Sequence, residues 1–163
     1  MEQQEHKALS AELKNNLSRL IDRRSTWETH WQEVADLVIP RKSDIVDNKV
    51  KGDKRHLEVF DATAIHSLEL LASSLHGMLT SSANRWFSLR FKETILNEND
   101  EAKEWLEDVT DKMYIAFQRS NFQQEIFETY HDLCAFGTAG MFIEEDEVDI
   151  IRFSARHIKE IYI

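Results

Sequence analysis

The chain has 163 residues, a formal net charge of -10 and a pI of about 5.1, so its summed field repels phosphate and gives no electrostatic basis for general nucleic-acid binding. Four Trp, nine Phe and a 42% hydrophobic content exclude a disordered chain, and the length suits a single domain, one compact unit with room for a protruding element. The single Cys134 excludes an internal disulfide and a multi-cysteine zinc site, and no stretch approaches the roughly 18 apolar residues of a membrane helix, which reads as a soluble intracellular protein with no membrane partner.

From Leu13, the positions Leu17, Leu20, Arg24, Trp27, Trp31, Val34 and Val38 lie alternately four and three residues apart, the repeat of one helical seam that only Arg24 breaks. With Ser10 as N-cap and Pro40 as stop, this predicts one helix from about residue 10 to 38. Such a helix is roughly 40 Å long, so part of it must project or pack beyond a compact core.

Residues 41–60 lack a helical stripe and mix Arg41, Lys42, Lys49, Lys51, Lys54 and Arg55 with Asp44, Asp47 and Asp53, which reads as a long flexible loop open to a partner. Asp61 or Thr63 caps a second helix to about Thr80, with Ile65, Leu68, Leu71, Ala72, Leu75, Met78 and Leu79 on one broad face. Ser73 and Gly77, small and four apart, predict close approach by a neighbouring element, so that the helix is covered on two sides.

After the polar run 80–84 the period changes to two. Phe87, Leu89 and Phe91 alternate with Ser88, Arg90 and Lys92, predicting a strand at 86–92 with Trp86 on its opposite face. Asn99 or Asp100 caps a third helix to about Arg119, with Trp105, Leu106, Val109, Met113, Ala116 and Phe117 as its stripe. Ser120 or Asn121 caps a fourth, with Phe122, Ile126, Phe127, Tyr130, Leu133 and Cys134 inward. Gly137 suits the left-handed C-cap, Gly140 leads into a strand, and 141–145 and 149–153 form two strands joined by an acidic turn. The closing ARHIKEIYI is apolar without a polar tail, the expected edge of something longer.

The strong catalytic motifs are absent: no GxSxG, Walker loop, GxGxxG or HExxH occurs. Glu128 and His131 form a single ExxH, where a di-iron bundle needs two, and they read as solvent-facing. His66, Glu69 and His76 are spread too far along their helix to share a metal. The carboxylates Glu144, Glu145, Asp146, Glu147 and Asp149 lack the order of a calcium loop and read as a solvated turn. No catalytic, cofactor or metal residue is therefore assigned.

Four stretches taken together carry a resemblance: RRSTWETHWQEVADLVIP, FDATAIHSLELLASSLHGMLTSSANRWFSLRF, FQQEIFETYHDLCAFGTAGMFIEED and FSARHIKEIYI. In order and spacing they are similar to the N-terminal part of the head-to-tail connecting (portal) proteins of short-tailed, T7-like bacteriophages. The resemblance implies a homo-oligomeric ring at one capsid vertex, through which DNA enters and leaves, and which meets the capsid, the packaging motor and the tail. It implies a structural rather than enzymatic role, a place in the virion after assembly in the bacterial cytoplasm (or the cytoplasm alone for a prophage relic), and no sequence-specific DNA contact. Members are several times longer, and this stretch would correspond to their outer, wing-like part.

The expected fold is α+β and mainly helical: a long N-terminal helix, three further helices and a small antiparallel sheet. The structural or interface candidates are Trp27 and Trp31 as anchors of the long helix, Gly77 for close packing, Trp86 and Phe87 at the strand start, and Gly137 and Gly140 at the turn. The competing function is a stand-alone helical adaptor that binds a partner helix through the heptad-like N-terminal seam.

Overall fold

In the computed structural model, which describes residues 2–47, 50, 52–55 and 58–162, every predicted helix forms: α1 (Glu2–Val38), α2 (Thr63–Leu79), α3 (Asp100–Arg119) and α4 (Phe122–Phe136). Two strands, β1 (Gly140–Asp146) and β2 (Ile150–Arg156), pair antiparallel with Gly140 opposite Arg156 and Asp146 opposite Ile150. Short 3₁₀ turns cover Pro40–Lys42, Thr94–Glu98 and Ile158–Glu160. The fold is α+β and mainly helical.

The ends of the helices reflect local chemistry. The Asp61 carboxylate accepts from the Thr63 backbone N–H (3.0 Å) and hydroxyl (2.9 Å) before α2, and the Asn99 side chain accepts from Glu101 N (2.9 Å) and Ala102 N (3.3 Å) at the start of α3. Gly137 ends α4 at φ 74°, its N–H bonded to Leu133 O at 2.9 Å, the left-handed closure that glycine adopts without a Cβ clash. The start of α1 differs from expectation. Ser10 lies inside a helix that begins at Glu2, because the preceding Glu, Gln, Lys and Ala residues are good helix formers that need no cap at Ser10.

The backbone groups into two units, residues 1–66 with 157–163, and residues 67–156, the division falling within α2. In the first unit, residues 6–19 of α1 are exposed, and burial begins at Arg24. The buried stripe there is Arg24, Gln32, Ala35 and Ile39, joined by Ser43, Ile45 and Ile158, so it shares Arg24 with the seam read from the apolar spacing and then runs one residue beyond Trp31, Val34 and Val38. Gln32 organises the chain beyond the end of α1: its Nε2 donates to Ser43 O (2.9 Å) and its Oε1 accepts from Ile45 N (3.0 Å) and Val46 N (2.9 Å). The start of the 41–60 loop is thus held in place, and Arg55 donates back to Arg41 O at 2.7 Å. Lys49 and Lys51 of that loop lie outside the described residues.

The second unit is built on aromatic packing of α3, α4 and the hairpin. Phe122 and Phe153 are buried, with Phe117 4.8 Å from Phe122 and Phe153 5.1 Å from it. The hairpin is tied to α4 by side chains. Asn121 Nδ2 donates to Phe153 O (2.8 Å), its Oδ1 accepts from Phe153 N (2.9 Å), and Glu125 accepts from Ala155 N (2.7 Å). Asn121 therefore makes no side-chain cap on α4 because it serves β2 instead.

Three readings are corrected. Residues 86–92 form no strand, since no other strand lies alongside. On α2 only Leu68 and Ala72 are buried, while Leu71, Met78 and Leu79 are exposed, so the broad face is a narrow covered stripe. On α4 it is Leu133 that is exposed, whereas His131 and Asp132 are buried.

Candidate interaction surfaces

Residues 87–91 run extended without a partner strand, and α3 shows why. Phe87 stacks on Tyr114 (4.5 Å between centroids) and Phe91 on Trp105 (6.0 Å). Nine helical residues rise about 13.5 Å. Four extended residues span roughly 13 Å. The segment thus runs antiparallel to α3 at full stretch. Its backbone is held by side chains that stand where a neighbouring strand would. The Tyr114 hydroxyl accepts from Trp86 N (2.6 Å) and Phe87 N (2.7 Å) and donates to Phe87 O (3.0 Å). At the other end Asn97 accepts from Phe91 N (2.9 Å) and donates to Phe91 O (2.8 Å). Arg85 pairs with Asp111 and Glu107 on α3. Between segment and helix lies a groove of about 980 Å³ lined by Arg85, Phe87, Leu89, Asn97, Leu106 and Thr110.

Trp86 joins the aromatic core, stacked on Phe122 (5.7 Å, 8°) and Phe117 (6.1 Å, 16°), with 37% of its surface still exposed. Phe87 is half-buried beside it at 4.7 Å. Both therefore sit at the beginning of the extended segment. Trp27 is 57% exposed and stacks on Trp31 (6.3 Å), which packs against the Arg24 guanidinium (5.6 Å). Gly137 closes α4 and Gly140 opens β1. Gly77 is placed differently from expectation. A Cβ built there meets nothing within 4 Å, so among the described residues no element needs its small size.

The residue that breaks the apolar seam is the centre of its unit. Arg24, 5% exposed, donates through Nη1 to Lys159 O (3.0 Å) and Ile161 O (2.6 Å), pairs through Nε with Glu28 (3.0 Å), and lies over the Tyr162 ring (4.6 Å). The seam reading passed over Arg24 because its partners are 135 and 137 residues away.

The ExxH pair is also rearranged. His131 is 1% exposed rather than solvent-facing, its Nε2 3.1 Å from Glu69 on α2, and Phe127 meets its ring edge-on at 4.8 Å. His76 turns to Gln123 instead, at 2.7 Å. These are helix-packing contacts, and among the described residues no cluster of three His, Cys, Asp or Glu side chains is placed to hold a metal. In the acidic turn Asp146 accepts from Val148 N and Asp149 N, both at 2.8 Å, and those donors hold its carboxyl below the usual range. Burial pushes the Cys134 thiol up. Among the described residues no helix is long and apolar enough to cross a membrane.

Comparison with known proteins places the chain in a family. Residues 10–163 match the family model described as bacteriophage head to tail connecting protein. The probable portal protein of Bordetella phage BPP-1 is 35% identical over 124 residues, 76% of this chain and 22% of that protein. The portal protein of Salmonella phage epsilon15 is 32% identical over 141 residues, 86% of this chain and 25% of that protein. The chain thus spans about a quarter of the length of the curated relatives it matches. A match over residues 10–163 takes in most of the long helix, the extended segment and the hairpin, and the chain belongs to the bacteriophage head to tail connecting protein family.

Proposed function

We propose that this chain is a structural part of a phage portal, a subunit of the ring that connects head and tail and through which DNA is packaged and ejected. The observation that carries the reading is the family match over residues 10–163, joined by two phage relatives named as portal proteins. The physical character of the chain agrees with it. A conduit must let DNA slide, and a net charge of -10 gives phosphate nothing to grip. Exposed apolar residues such as Leu70, Leu71, Met78 and Ile115 suit a subunit whose faces meet other proteins of the capsid, motor or tail. Its role is architectural rather than enzymatic, at the capsid vertex as the outer, wing-like part of the subunit.

The test is immunogold labelling of phage particles from the source with antibody raised against this chain. Label at a single vertex is expected. Particles without label, or label over the whole shell, would overturn the reading.

A second reading has one observation of its own. Leu9, Leu13, Leu17 and Ile21 form an exposed apolar row on α1, as a helical adaptor would present to a partner helix. It predicts that helicity and size both fall on dilution of the purified chain. A seam with no helical partner predicts helicity independent of concentration.

A further inference from the structure

The second unit carries two unpaired strand edges whose charges are opposite. The first is the extended segment. In an extended chain the N–H and C=O of one residue point to the same side and those of the next residue to the other. Tyr114 and Asn97 occupy the side on which Phe87 and Phe91 present their backbone groups; the Trp86 N–H turns to Tyr114 as well, so the alternation starts at Phe87. The other side belongs to Ser88 and Arg90, and among the described residues their backbone N–H and C=O have no partner. Both residues are exposed, and Arg90 and Lys92 form no ion pair among the described residues.

The second edge is on β1. On β2, Phe153 and Ala155 turn their backbone groups to Asn121 and Glu125, so Arg152, Ser154 and Arg156 face β1. Their partners in the register are Glu144, Phe142 and Gly140, which leaves Met141, Ile143 and Glu145 pointing away from the hairpin. None of these three has a backbone partner on that side among the described residues. Glu144, Glu145, Asp146 and Glu147 make this edge strongly acidic.

We infer that the 86–91 segment of one copy receives the free edge of β1 from a second copy, Ser88 and Arg90 exchanging backbone hydrogen bonds with two alternate residues of Met141, Ile143 and Glu145. Charge and spacing identify the occupant. Both edges present bonding residues two apart, one edge carries Arg90 and Lys92, and the other carries four consecutive carboxylates. Copies with a net charge of -10 repel one another in general, so a basic extended edge is where an acidic strand of another copy can be met. The two edges are different surfaces of one molecule, so the contact is head-to-tail and leaves one copy with a free β1 edge and the other with a free 86–91 edge. Repeated, such a contact closes into a ring or runs on as a filament. The inference rests on the portal-ring reading and names a contact that would build it.

The test is sedimentation velocity of the full chain over a range of concentrations and salt. Association that weakens with salt is expected. Arg90→Glu alone and Glu145→Arg alone should each weaken it by roughly tenfold, since the first adds a carboxylate to the edge that meets the acidic run and the second adds a guanidinium to the edge that meets Arg90 and Lys92. An equimolar mixture of the two variants should restore it, because every contact in an alternating assembly is again complementary. Ser88→Pro, which removes one of the free N–H groups while keeping an extended φ, should weaken association without changing the far-UV circular dichroism. Association that all three variants leave intact overturns this contact and leaves the ring reading standing, with its interface elsewhere. A chain that stays monomeric throughout also overturns the contact, and the ring reading is then judged by the labelled particles alone.

Discussion

Ile150, the first residue of β2, sits at φ 73°, a left-handed conformation that costs a β-branched side chain on the order of 1–3 kcal/mol. The turn imposes it, because Asp146 takes the N–H groups of both Val148 and Asp149 and the chain must reverse immediately after them. More than half of the Ile150 side chain is exposed, so little packing is lost with it. Ile150→Gly should therefore raise stability by about 1 kcal/mol, read as a higher urea midpoint at unchanged slope. Asp61 and Asp146 supply a second expectation. Hydrogen bonds from Thr63 hold the Asp61 carboxyl below its ordinary value, and those from Asp149 and Val148 do the same for Asp146. A folded-state value below the unfolded one contributes stability above the unfolded carboxylate pKa of about 3.9, and that stability is lost as pH falls through the folded values. Asp61→Asn with Asp146→Asn, which keeps an acceptor oxygen but cannot titrate, should flatten the fall in melting temperature below about pH 4.

The elements divide according to how local their causes are. Helix ends were legible because their signals lie within a few residues: Asp61 before α2, Asn99 before α3, Gly137 after α4. The hairpin was legible from two apolar runs around an acidic turn, although β2 runs on to Arg156. The segment 86–91 was legible only as extended. Alternation reports a half-buried extended chain, and it is silent on whether the backbone partner is a strand or, as here, the Tyr114 hydroxyl and the Asn97 amide. His131 was misplaced for the same reason, since its partner Glu69 lies on a helix remote in sequence. Among the interface candidates, Trp86 and Phe87 share one aromatic cluster, whereas Gly77 faces open space. The side-chain clamp yields a direct prediction. Tyr114→Phe keeps the ring stacked on Phe87 but removes the oxygen that serves Trp86 N, Phe87 N and Phe87 O. It should cost about 1–2 kcal/mol, since solvent reaches these groups and can replace part of what is lost. Amide exchange at Trp86 and Phe87 should rise to that of an open loop, while Phe91, held by Asn97, keeps its protection.

At the scale of the whole chain, the first unit is assembled from residues 1–66 and 157–163, with the whole of the second unit, residues 67–156, between them in sequence. Arg24 makes the closure. Its guanidinium takes the carbonyls of Lys159 and Ile161 and lies over the Trp31 and Tyr162 rings, and Ile158, 2% exposed, is buried in the same unit. Without residues 157–162 that guanidinium would keep Glu28 but exchange both carbonyls and the Tyr162 ring for water, losing two charge-assisted hydrogen bonds and the packing over its face. Truncation after Arg156 should therefore destabilise α1 from Arg24 onward by roughly 2–4 kcal/mol. Hydrogen exchange should show this as lost protection from Arg24 to Ile39, with the hairpin amides unchanged because Asn121 and Glu125 hold β2 from within residues 67–156. Arg24→Met separates the two contributions. If the C-terminal carbonyls are needed chiefly to satisfy Arg24, truncation should cost much less in that background than in the natural chain. Equal costs in both would assign the effect to burial of Ile158 and Tyr162 instead.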